Sequence, residues 1–168
     1  MVDPGYVQMM ARYNAWQNQS LYAAAATLDD AARRRDRGAF FGSVHATLSH
    51  LLWGDTVWMS RFDAWDAPVV GLSASPGYVA DWPDLAAARR DADARILDWA
   101  VALRPQDLDG TLDWFSGALG REVSKPLALC VMHFFNHQTH HRGQVHGMLT
   151  AAGVRPGDTD LFVMPATA

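Results

Sequence analysis

With 168 residues, 49% of them hydrophobic and 19% charged, the chain can close one core of its own and reads as a single domain over residues 1–168. A formal charge of −4 argues against nucleic acid as a partner, because such binders carry a basic stripe. A single cysteine, Cys130, excludes an internal disulfide and a zinc ribbon. The first residues lack a basic and apolar leader, and no apolar run reaches the roughly 18 residues of a membrane span, so a cytoplasmic protein is expected.

The first helix is expected over residues 4–28. Pro4 suits its start, and Met9, Met10, Tyr13, Trp16, Leu21, Tyr22 and Leu28 recur at helical spacing. A polar connector follows, containing Arg33-Arg34-Arg35-Asp36-Arg37, whose interspersed aspartate marks it as a solvated link. A second helix is expected over 42–62, capped by Ser43, with His50 near its midpoint. Residues 63–81 are rich in turn formers and read as a loop covering one end of the fold.

A third helix is expected over 83–103, with Asp81 as cap, Pro83 in its first turn and Arg104-Pro105 as its stop. Residues 110–123 have the pattern of a short hairpin or an extended loop. Ser124 is then expected to cap a fourth helix that runs to about residue 152 and stops at Gly153. The tail Leu161-Phe162-Val163-Met164 is expected to fold back on the helices.

Acid usage narrows the chemistry. Seventeen aspartates stand beside one glutamate, Glu122, so the Glu-x-x-His pairs of a di-iron bundle cannot be built. Histidine is the remaining ligand type. His133, His137, His140 and His141 fall within nine residues of the fourth helix. Residues four apart lie on one helical face, about 6 Å apart along the axis. Two such imidazoles can grip one ion from the same side, with a third ligand from another helix. His50 is the best candidate for that third ligand. His137 with His141 and His133 with His137 are rival pairs on the fourth helix, and His140 turns about 100° away from the stripe. Asn136 and Gln144 are candidate partners for ligand ring nitrogens. Three imidazoles leave coordination positions open, as in catalytic sites, and ligand type alone does not choose the metal.

Three motifs then carry a family resemblance: Tyr13-Asn-Ala-Trp16, Thr47-Leu-Ser-His50-Leu-Leu-Trp-Gly-Asp55-Thr-Val-Trp58, and Asn136-His137-Gln-Thr-His140-His141-Arg142-Gly143-Gln144. In type and order they resemble the DinB/YfiT-like family of metalloenzymes over nearly the whole chain. The resemblance implies an all-α four-helix bundle of up-down-down-up order, a homodimer, and a divalent metal, nickel or zinc, held by His50, His137 and His141. It also implies a small-molecule substrate and, as in some relatives, thiol-dependent S-transfer or isomerisation using a low-molecular-weight thiol. The alternative is a non-catalytic bundle stabilised by its metal and serving as a stress-linked binding or scaffold protein. Trp53, Trp58 and the 63–81 loop are expected to shape a pocket. No general base is evident, and Asp55 is a weak candidate for one.

Overall fold

The computed structural model describes residues 2–166. It is mostly helical: α1 (Pro4–Ala26), α2 (Asp30–Arg34), α3 (Val44–Phe62), α4 (Trp82–Ala102) and α5 (Leu127–Ala151). Strands β1 (Thr111–Ser116) and β2 (Arg121–Pro126) pair antiparallel, with Thr111 opposite Pro126 and Ser116 opposite Arg121. Of the two forms expected for residues 110–123, the hairpin is the one present ahead of the last helix. No helix among the described residues is long and apolar enough to cross a membrane.

Local chemistry explains most helix ends. The Asp3 carboxylate accepts a hydrogen bond from the Tyr6 amide at 2.8 Å, and Pro4 opens α1 where its missing N–H removes no helical bond. The Ser43 hydroxyl accepts from the Ala46 amide and caps α3. Helix α5 closes with Gly153 at φ +80°. The Val154 amide donates to the Leu149 carbonyl and the Gly153 amide to that of Thr150, a paired closure that needs a residue in the left-handed region.

Two expectations fail locally, the second in part. Ser124 does not cap the last helix; it lies in β2 opposite Asp113, and α5 begins three residues later behind Pro126. The strand claims Ser124 because its backbone bonds across the hairpin, and proline then ends that ladder. The arginine run is only in part a solvated link, with Arg34, Arg35 and Asp36 exposed. It contains α2, and Arg33 is buried, donating to the carbonyls of Ala25 in the last turn of α1 and of Leu28 just past it, while its guanidinium lies 4.7 Å from the Trp82 ring centre. A cation at a helix C-terminus satisfies carbonyls that no helical amide reaches.

The tail folds back through its backbone. Tyr13 donates to the Thr159 carbonyl at 2.6 Å, Gln17 to that of Asp158 at 2.8 Å, and the Gly157 amide donates to Ser20 Oγ at 2.9 Å. The apolar side chains beyond this strap stay out, and Phe162 is 86% exposed.

Helices α1 and α3 each pack against both α4 and α5. Val7, Leu48, Leu85, Ile96, Phe134 and Leu149 are fully buried between them. Each such side chain contributes about 1.5–3 kcal/mol of burial. The same interior also holds a polar knot to which all four long helices contribute. The Asp55 carboxylate of α3 accepts from Arg89 of α4 at 2.5 Å and from Gln138 of α5 at 3.0 Å. Asp93 of α4 accepts from Asn14 and Asn18 of α1 at 3.2 and 2.9 Å and pairs with Arg89 at 2.9 Å. Arg142 of α5 donates to Asn14. Two carboxylates meet two guanidiniums, so the knot can be neutral while its directional bonds fix how each helix is rotated.

Candidate metal centre

The knot sets the register of the site. Asp55 lies five residues after His50 on α3, and its partner Gln138 immediately follows His137 on α5. Locking that pair brings His50 opposite His137 and His141. One nitrogen from each of the three imidazoles lies within 4.8 Å of the others. Ring centres are 5.4 Å apart for His50 and His137, 4.8 Å for His50 and His141, and 4.5 Å for His137 and His141.

Neighbours orient each ring. His50 Nδ1 bonds Ser75 Oγ at 2.7 Å, which leaves its Nε2 for another partner. His141 Nδ1 bonds Gln144 Oε1 at 2.8 Å, with the same consequence. Phe41 stacks on His50 with ring centres 3.9 Å apart. His137 instead leans on α3 where Gly54 has no side chain. A Cβ at that position would stand 2.8 Å from His137 Cε1. His137 Nδ1 is buried with no hydrogen-bond partner, which is costly for a polar atom and fits a site built to receive a cation.

Electrostatics keeps the three rings neutral. Burial, then the neighbouring His141, pushes His50 down to about 4. Burial, then His141 and His50, pushes His137 down to about 3. Burial lowers His141 as well, against the opposing hydrogen bond from Gln144. Neutral imidazoles present lone pairs at pH 7, the state a metal requires.

Of the rival arrangements, His133 stands apart. It is exposed, its ring centre is 5.9 Å from that of His137, and it packs edge-on against Trp58 at 5.0 Å. Four residues turn an α-helix by one full turn plus about 40°, so three such positions cannot all face one point. His140 is exposed, and Gln144 Nε2 lies 3.3 Å from its Nε2 while Gln144 Oε1 meets His141. Asn136 is exposed, and the bonded nitrogens of His50 and His141 are met by Ser75 and Gln144 instead. Asp55 is fully buried and held by Arg89 and Gln138, so its carboxylate is committed to the knot rather than free as a base.

The 63–81 loop does reach the site. Trp53 Nε1 donates to the Val70 carbonyl at 2.8 Å, Ser49 receives the Val79 amide at 3.1 Å, and Ser75 meets His50. His45 is an ordinary structural residue here, bonding the Val79 carbonyl through Nε2. Ser75, Phe41 and Gly54 escaped sequence reasoning. Only Gly54 left a signal, as a glycine inside a helix four residues after a candidate ligand.

Fold and site together define a mostly helical protein with a buried cluster of three histidines joining two of its helices. The sequence matches the DinB family over residues 1–167, and the chain belongs to that family. A DinB-like protein from Bacillus cereus, known from its crystal structure, shares the fold with a TM-score of 0.62. The match covers 85% of this chain and 90% of that one at 17% identity. A comparison with curated proteins found no match.

Proposed function

We propose that the protein binds one divalent metal ion, nickel or zinc, through His50, His137 and His141, and uses it in small-molecule chemistry. The observation that carries this reading is the convergence of three neutral imidazoles whose ligand atoms lie within 4.8 Å of one another. The orphaned His137 Nδ1 and the bonds from Ser75 and Gln144 support it. Such an ion would supply Lewis acidity, favouring the thiolate form of a thiol or polarising a carbonyl. The chain's own part is to hold the rings. Ser75 orients the His50 ring, Gln144 Oε1 accepts from His141 Nδ1, Phe41 covers one face of His50, and Gly54 lets His137 approach α3.

The reaction that fits an open three-histidine site in this family is transfer of a low-molecular-weight thiol to an electrophile, or a related isomerisation. The ring of contacts among α1, α4, α3 and α5 supports a four-helix bundle of up-down-down-up order. Exposed Phe115, Leu119, Leu129 and Met132 support a homodimer, and a free, buried Cys130 supports a cytoplasmic setting.

Elemental analysis of wild type beside His50→Ala and His141→Ala tests the site. About one ion per chain, lost in both variants, is expected. An intact fold that takes up no metal on reconstitution would refute it. A screen of thiols against electrophiles, with metal-loaded and stripped protein, tests the chemistry.

A further inference from the structure

A second candidate site lies at the other end of α3. A cavity of about 370 Å³ opens beneath the hairpin, walled by Phe62, Trp99, Leu103, Leu108, Leu112 and Val131. Its volume is at the lower end of the range for small-molecule pockets, and most of its wall is apolar. Two ionisable residues also line it, Arg61 and Asp107.

These two differ in how their charge is used. Asp107 is taken: both its carboxylate oxygens accept from the Arg104 guanidinium, at 2.8 and 3.0 Å, and one also accepts the Arg104 amide at 2.9 Å. Arg61 is not. Among the described residues it forms no ion pair and donates no protein hydrogen bond. Its guanidinium instead lies against two indoles that pack on each other, 4.6 Å from the Trp58 ring centre and 5.3 Å from that of Trp114, with the two ring centres 5.6 Å apart. Stacking fixes a guanidinium in place while leaving its in-plane N–H donors for an oxygen ligand.

A second cation stands beside it. Lys125, the chain's only lysine, is directly opposite Leu112 across the hairpin, and residues so opposed share one face of the sheet. Leu112 lines the cavity, which puts Lys125 on the cavity side of the strands. Lys125 also has no ion pair among the described residues.

We propose that this cavity binds a small amphipathic carboxylate, with its apolar body between the ends of α3, α4 and α5 and its carboxylate on Arg61, with Lys125 nearby. The cavity shares no lining residue with the histidine cluster, so the proposed binding is to metal-free protein.

Isothermal titration with straight-chain carboxylates from butyrate to decanoate, and with their primary amides, tests this. Saturable one-to-one binding is expected for at least one acid, at least about tenfold tighter than its amide, since the charged contact is the stronger hydrogen bond. Arg61→Gln should abolish the preference for acid over amide, and Arg61→Lys should restore part of it. Leu112→Trp, which fills the cavity from the hairpin side, should weaken acid and amide alike. Lys125→Gln is an exposed change that keeps the comparison available if Arg61→Gln does not fold. In that case a drop in acid affinity in Lys125→Gln and in Leu112→Trp supports the site, and unchanged affinity in both overturns it. No saturable binding by any acid, or equal affinity for acid and amide in wild type, also overturns it. These results are read without metal, so they stand or fall apart from the histidine site.

Discussion

Gly54 shows how one missing atom can serve a site. A helix interior normally disfavours glycine by about 1 kcal/mol relative to alanine. Gly54→Ala should therefore leave α3 as stable or more so. The new methyl would press on His137 Cε1 from 2.8 Å and push the ring out of the cluster. The expected result is an unchanged or raised melting temperature with metal affinity reduced at least about tenfold, the scale of a ligand's lost support. Metal titration beside thermal melting reads both, and unchanged affinity would remove Gly54 from the site. Ser75→Ala makes a complementary case. It removes the oxygen that holds His50 Nδ1 at 2.7 Å, and a fall of about 10–100-fold in metal affinity is expected.

At the level of elements, the polar knot acts beside the apolar core in fixing α3 against α4 and α5. Burial pushes the Asp93 carboxyl up to about 6 and raises Asp55 too, while Arg89 pulls both the other way. Burial also opposes charge on Arg89, but Asp93 and Asp55 outweigh it and keep the guanidinium protonated. Removing one partner strands the others. Asp55→Ala leaves Arg89 buried with one carboxylate and frees Gln138, and a loss of about 3–5 kcal/mol is expected in urea unfolding. The same change should loosen the histidine register, because Gln138 adjoins His137. A loss below about 1 kcal/mol, the scale of an exposed pair, would show that the knot is not what holds these helices.

At the level of the whole molecule, the depressed imidazoles make metal-free stability depend on pH. His50 binds a proton near 6.5 when unfolded but only near 4 when folded. The unfolded chain therefore holds more protons between those values, and stability falls as pH drops through them. His137, lowered to about 3, and His141 act in the same direction. Asp93, raised to about 6, acts in the opposite one, since the folded state takes its proton first. Asp55, also raised by burial, acts with Asp93, and three cluster histidines against these two carboxyls leave the net sign with the imidazoles. Denaturant midpoints of metal-free protein should fall from pH 7 to pH 5, and more steeply with metal bound, because protons then also displace the ion. A flat profile would mean that the rings are not buried as neutral groups.

Some of this was written in the chain itself. Helical spacing located the four long helices, because a 3.6-residue period survives any tertiary arrangement. The excess of aspartate over glutamate removed the di-iron alternative, and the four-residue spacing of His137 and His141 placed two imidazoles on one face. Other features exist only in three dimensions. Ser124 looks like a helix cap until a strand claims it, and Arg33 looks solvated until it meets the carbonyls at the end of α1. The choice of His137 with His141 over His133 depends on the rotation of α5, which bonds from Asp55, Asn14 and Arg142 across three helices fix. Arg61 looks like any surface cation until two indoles and an apolar cavity surround it. Local period and composition are properties of short stretches, whereas rotation, burial and the partners of a charge are set by residues up to 128 positions away.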